Sequence, residues 1–155
     1  SEASHDLVTF LYEHAQKKGR CFDYFTSNNM ACRRDRFLEV GGFDETFPLA
    51  AAEDREFGLR WKASGGALVY EPAARIRHAH LLDLRRFWRQ QANYGRGARH
   101  LRLRVEARNG DKIRFEGLKF YVDMAAYPFR ARRPRAAERA ALLGLSQIAT
   151  AAGFL

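Results

Sequence analysis

The residue pattern predicts an α/β chain, on three observations. Apolar residues recur at helical spacing in several stretches, two short runs on either side of Pro72 alternate with period two, and glycines and prolines punctuate the segments between them. At 155 residues and 46% apolar content the chain is long enough for an ordinary domain with a core. Its two cysteines, Cys21 and Cys32, lack CxxC spacing, which argues against a disulfide scaffold or zinc module and fits a reducing cytosol. The opening "SEASHDLVTF" has no basic n-region, apolar h-region or initiator Met, so the chain is expected to begin within a larger protein.

Taken in order, "SHDLVTFLYEHAQKK" starts with a capping serine and places Leu7, Val8, Phe10, Leu11 and Ala15 at helical spacing before Gly19 stops it. "RCFDYFTSNNMACR" is aromatic and small with a Ser-Asn-Asn interruption, predicting an extended segment broken by a loop or bulge. "RDRFLEV" predicts a short helix ended by Gly41-Gly42. After the Gly42-Phe43-Asp44 turn, "EDREFGLRWKASGG" reads as a second clear helix, ended by Gly65 or Gly66. "ALVYEP" and "ARIRHAH" predict one or two strands. From residue 83 a helix carries Leu84, Phe87, Trp88, Gln91 and Tyr94 on one stripe, with Gly95 and Gly97 expected to kink or end it. The final "AALLGLSQIATAAGFL" is uncharged over 16 positions but too short and too polar for a membrane span, which leaves an interfacial or a packed helix.

The formal charge of +9 is uneven: residues 1–80 sum to −1 and residues 81–155 to +10. The first part reads as a near-neutral globular piece, the second as a basic surface suited to nucleic acid or an acidic membrane face.

Several residues could carry chemistry. Glu53 and Asp54 sit where a helix starts; acid there offsets the helix dipole and can cap the chain, and it is also an ionised, fixed carboxylate able to serve as a general base. His78 and His80, if on a strand, share a face about 7 Å apart, which fits either plain half-buried histidines or one side of a site. Ser27, Asn28 and Asn29 form a polar turn, with Arg33 and Arg34 as possible phosphate contacts. "YGRG" lacks the full GxGxxG and a preceding strand, so it is not a phosphate loop.

In order, "SNNMACRRDRFLEVGGFDETF" and "EDREFGLRWKASGGALVYEPAARIRH" resemble the second half of the catalytic domain of family 2 glycosyltransferases, over about residues 20–80, with "RRFWRQQANYGRGA" resembling the helix that follows. The resemblance implies a partial GT-A (nucleotide-diphospho-sugar transferase) fold lacking its N-terminal donor-binding half: an acceptor-side half at residues 1–80 and a basic helical extension at 81–155. It implies inverting transfer of a sugar from a nucleotide-sugar donor to an acceptor hydroxyl on a glycan or lipid-linked acceptor, of the kind that builds cell-envelope polysaccharide. Asp54 becomes the catalytic base and Glu53 its neighbour in the acceptor pocket; Asn28 and Asn29 line the cleft beside the sugar; Gly41, Gly42, Phe43 and Asp44 shape the turn before an Ala-rich acceptor loop. His78 falls near the donor diphosphate and its Mg²⁺ or Mn²⁺, whose carboxylate ligands belong to the absent half, while His80 has no counterpart. Nothing in residues 1–20 matches that half's Asp-x-Asp strand, so the chain alone is expected to be inactive.

The cationic second part adds the expectation of a cytoplasmic protein, peripheral at the inner face of the membrane, with no nucleic-acid partner. The competing readings are a basic module that binds nucleic acid or membrane without catalysis, with Trp88, Tyr94, Phe115, Phe120 and Tyr121 interleaved among cations, and a structural pseudo-enzyme fragment.

Overall fold

A computed structural model describes residues 2–17, 26–71, 73–74, 76, 82–109 and 116–155. Its elements are α1 (Glu2–Lys17), a 3₁₀ turn (Ser27–Asn29), α2 (Arg34–Glu39), α3 (Glu53–Ala63), α4 (Leu84–Asn109), α5 (Leu118–Arg130) and α6 (Ala136–Phe154). The expected α/β class, and with it the partial GT-A fold, is corrected here: among the described residues there is no strand, and the architecture is helical.

The reason is that period-two alternation only makes an extended segment amphipathic; a strand exists when a second backbone pairs with it. Among the described residues the stretch 67–71 finds none, leaving Val69 78% and Tyr70 42% exposed. It is fastened by a side chain instead, the Trp61 Nε1–H donating to the Ala67 carbonyl at 3.0 Å. Most of the second expected strand, "ARIRHAH", lies outside the described residues, as do residues 20–25 of the expected extended segment. The remainder of that segment holds the 3₁₀ turn.

The helices form close to where their local signals place them, although α1 begins at Glu2 and takes in Ser4, the residue expected to cap it, and their contacts decide the rest. The most extensive pairing is α4 with α6, followed by α5 with α6; α1 docks on α5 and α6, and α3 leans on α4. The uncharged terminal stretch is thus a packed helix, with Leu143, Ser146 and Ala149 buried. Gly95 and Gly97 neither kink nor end α4, which runs unbroken to Asn109. A Cβ at Gly95 would strike the Thr150 carbonyl, and one at Gly153 the Ala92 carbonyl, so glycine on both helices lets the backbones approach closely.

Phe10, Met124 and Tyr127 form the core between α1 and α5, with Leu7, Leu11, Phe120 and Tyr121 packed around them. Beside it, Asp6 is wholly buried and paired: Arg139 Nη1 donates to its Oδ2 at 2.8 Å, and Arg133 Nε lies 3.2 Å from Oδ1. The Asp6 carboxylate in turn pushes the Arg139 guanidinium pKa up, so the cation stays charged in its buried seat. Such a pair adds little net stability, but removing one partner is costly, and so it fixes how α1 sits on α6.

Candidate active site around the start of helix α3

The segment from α2 to α3 is built by local chemistry. Helix α2 ends when the Gly42 N–H bonds the Phe37 carbonyl at 2.9 Å and the Gly41 N–H bonds that of Leu38 at 3.0 Å. Both glycines hold positive φ, +93° and +63°, the left-handed geometry that closes a helix C-terminus. Phe43 then folds back against Phe37 and Phe57, with ring centroids 5.4 and 5.3 Å away. Asp44 Oδ1 accepts the Thr46 hydroxyl at 2.6 Å and its N–H at 2.9 Å. Those Thr46 bonds, with help from Arg104 and Arg60, hold the Asp44 carboxyl below the usual range. Gly42, Phe43 and Asp44 therefore form the turn that leads into the alanine-rich loop.

That loop delivers α3 under strain. Ala52, the residue before the helix, sits at φ 74°, a left-handed conformation that costs a non-glycine residue roughly 1 kcal/mol or more. No side chain caps the helix. Asp54 lies within the first turn, not at the cap position, and both its oxygens meet backbone donors: Oδ1 the Arg55 N–H at 2.8 Å, Oδ2 the Ser27 N–H at 3.1 Å. The second bond crosses from a turn 27 residues earlier, so the carboxylate is oriented by two separate segments. Its neighbour Glu53 is half-buried, and its Oε2 is enclosed without a hydrogen bond.

One face of α4 grips this whole segment. A Cβ at Gly97 would collide with the Ala51 carbonyl, and Ala51 is buried at 3% exposure. One turn on, the His100 ring meets Phe47 edge-on at 4.6 Å. Arg104 bonds the Thr46 hydroxyl and stands 3.8 Å from Asp44. Arg108 reaches Glu56 at 2.9 Å; Glu56 also holds Arg60 at 2.7 Å, and Arg60 donates to the Val40 and Gly42 carbonyls. One turn before Gly97 comes Tyr94, facing the start of α3. Burial pushes its phenol pKa up, the Asp54 carboxylate adds to the shift, and Arg55 opposes it.

Asp54 borders a cleft of about 200 Å³ lined by Met30, Cys32, Phe57, Trp61 and Val69 among others, and among the described residues lining it Asp54 is the one charged group. Among the sequence-predicted residues, Asp54 and Glu53 share the first turn of α3, and the Ser-Asn-Asn turn meets Asp54 through Ser27. Asn28 is exposed, and Asn29 donates to the Ala74 carbonyl at 2.8 Å. His78 and His80 lie outside the described residues. Among the described residues no three His, Cys, Asp or Glu side chains converge as a metal centre. Sequence reasoning missed the part α4 plays here. Its signal was the spacing of Tyr94, Gly97, Leu101, Arg104 and Arg108 by three and four residues, hidden because an arginine-rich helix face reads as solvent-facing.

The family described as Glycosyl transferase family group 2 matches residues 4–145. Two curated relatives, each named pre-mycofactocin glycosyltransferase and found in two strains of Mycobacterium tuberculosis, are 37% identical over 81 residues. That stretch is 52% of this chain and 17% of each relative's length. No solved structure matches the chain.

Proposed function

Because the chain belongs to the glycosyl transferase family group 2, we propose that it carries the acceptor-activating part of a larger enzyme that moves a sugar from a nucleotide-sugar donor to an acceptor hydroxyl with inversion. Asp54 is the base. As the acceptor oxygen attacks the anomeric carbon, its proton passes to Asp54; the bond from that carbon to the diphosphate breaks, and the electron pair leaves on the phosphate oxygen. The observation that carries this reading is the clamping of Asp54 by two backbone N–H groups from separate segments, at the mouth of the cleft. Donation of that kind keeps a carboxylate ionised and immobile, while each oxygen retains a lone pair for an incoming hydroxyl.

Glu53, Asn28 and Asn29 lie on the acceptor side in this reading, and the turn of Gly42, Phe43 and Asp44 supports the loop. His78, together with carboxylates from elsewhere in the full-length protein, would hold Mg²⁺ or Mn²⁺, whose charge offsets that of the leaving diphosphate. The acceptor is a glycan or lipid-linked hydroxyl, and the protein sits peripherally on the inner face of the membrane.

The test is Asp54→Asn in the full-length protein, assayed by nucleoside diphosphate release from UDP-glucose and GDP-mannose. Turnover should fall by roughly 100-fold with donor affinity kept, since a base acts only in the transition state. Unchanged turnover per folded molecule would leave Asp54 a structural residue.

A further inference from the structure

Helix α5 carries an apolar stripe with no partner among the described residues. Leu118, Val122 and Phe129 are 79%, 57% and 55% exposed, although the same helix buries Met124 and Tyr127 on its other side. At about 100° per residue the three fall within roughly 40° of one another, on a line about 16 Å long. The rim of this stripe is cationic. Lys119 and Arg130 are 87% and 59% exposed and flank it on one side, and the exposed Arg132 and the 63%-exposed Arg135, itself paired with Glu2 and Glu138 at the surface, follow its C-terminal end. The single acid of α5, Asp123, is only 18% exposed and turned into ion pairs with Lys119 and Arg130. The neighbouring α6 exposes Ile148 at 61%, and Leu155, just past its end, is 96% exposed. No described helix is long and apolar enough to cross a membrane.

We infer that the outward stripe of α5 is a docking surface for an anionic lipid bilayer, with Leu118, Val122 and Phe129 entering between headgroups and the surrounding Lys119, Arg130, Arg132 and Arg135 meeting lipid phosphates. This rests on the peripheral attachment proposed above and deepens it by placing the anchor on α5, since α6 is committed to the bundle. The choice of lipid follows from the chemistry of the stripe. Two of its three large residues are aliphatic and cannot stack on bases, while the other aromatics of α5, Phe120, Tyr121 and Tyr127, pack toward α1 and one another. Aliphatic residues ringed by cations are what an interfacial helix offers to an acidic membrane. A net +10 over residues 81–155 supplies the longer-range attraction.

The experiment is co-sedimentation of the full-length protein with vesicles of phosphatidylcholine alone or mixed with phosphatidylglycerol. Binding should require the anionic lipid and fall steeply with salt. The double variant Val122→Ser, Phe129→Ser should weaken it about tenfold, whereas Leu103→Ser, at an equally exposed apolar position on α4, should not. All these side chains are exposed, and far-UV circular dichroism checks that the variants fold. Vesicle binding that survives the double variant would overturn the α5 surface and leave the attachment. No vesicle binding, equal binding to neutral vesicles, or tighter binding to poly(U) RNA would overturn both.

Discussion

Two glycine-to-alanine substitutions, chemically identical and both inside helices, should move stability in opposite directions. Alanine favours a helix interior over glycine by about 1 kcal/mol, because glycine surrenders more backbone freedom on folding. At Gly144 of α6 a Cβ meets nothing within 4 Å, so Gly144→Ala should collect that gain in full. At Gly97 the Cβ would run into the carbonyl and Cβ of Ala51, which is 3% exposed and precedes the left-handed Ala52. Backbone is the obstacle there, and a strained loop gripped by α4 has little room to yield. Overpacking of this kind costs roughly 1–3 kcal/mol, which outweighs the propensity gain. The two variants should therefore differ by about 1–3 kcal/mol, or roughly 3–10 °C in melting temperature for a chain of this size. Thermal unfolding followed by far-UV circular dichroism reads the difference directly. If Gly97→Ala stabilised as much as Gly144→Ala, the close contact between α4 and the loop would be refuted. Any shift of Ala51 also moves Asp54, so Gly97→Ala in the full-length protein should lower turnover as well.

Further outcomes concern the charges around this site and α5. Glu56→Gln should destabilise the chain by about 2–3 kcal/mol, at or below the usual cost of breaking a buried pair because Arg108 is half-exposed and can rehydrate; urea unfolding measures it, and a loss below about 0.5 kcal/mol would show that the pairs do not hold α3 to α4. The hydrogen bonds from Arg130 and Lys119 bring the Asp123 carboxyl down to about 2, from 3.8. A depressed folded-state value means that its stabilising effect is complete above the ordinary carboxylate range and is lost as pH falls toward about 2. Asp123→Asn should thus flatten the fall in melting temperature between about pH 5 and pH 2; an unchanged slope would dismiss the triad. Asp54→Asn should lower the Tyr94 phenol pKa toward its ordinary value, as read by carbon NMR of the labelled ring; no movement would separate Tyr94 from the site.

Much of the local structure was legible because its causes are local. The Gly41-Gly42 stop of α2 and the acidic first turn of α3 each act within one helical turn, and those two elements stand where the signals place them, whereas α1 begins at Glu2 and encloses the serine expected to cap it. The candidate base was legible too, since Glu53 and Asp54 open a helix in a run of family-like motifs. The errors share one physical origin. Alternation in "ALVYEP" describes one segment, whereas a strand needs a second backbone whose position no local pattern specifies. Gly95 and Gly97 look like helix breakers when only propensity is considered, but their purpose is to admit the backbones of α6 and the alanine loop.

By itself, then, the sequence determined the helix boundaries at α2 and α3, the excess of positive charge after residue 80, the family, and the carboxylate at the start of α3. Each depends on residues adjacent in the chain or on their order along it. Only the tertiary structure decided that the uncharged terminal stretch lies packed in the bundle, that Asp54 takes its second donor from Ser27, and that α4 supports the loop through Gly97 while bringing Tyr94 toward Asp54. Those are contacts between segments tens of residues apart. Their geometry follows from how the helices pack, and packing depends on the shapes of all the faces at once.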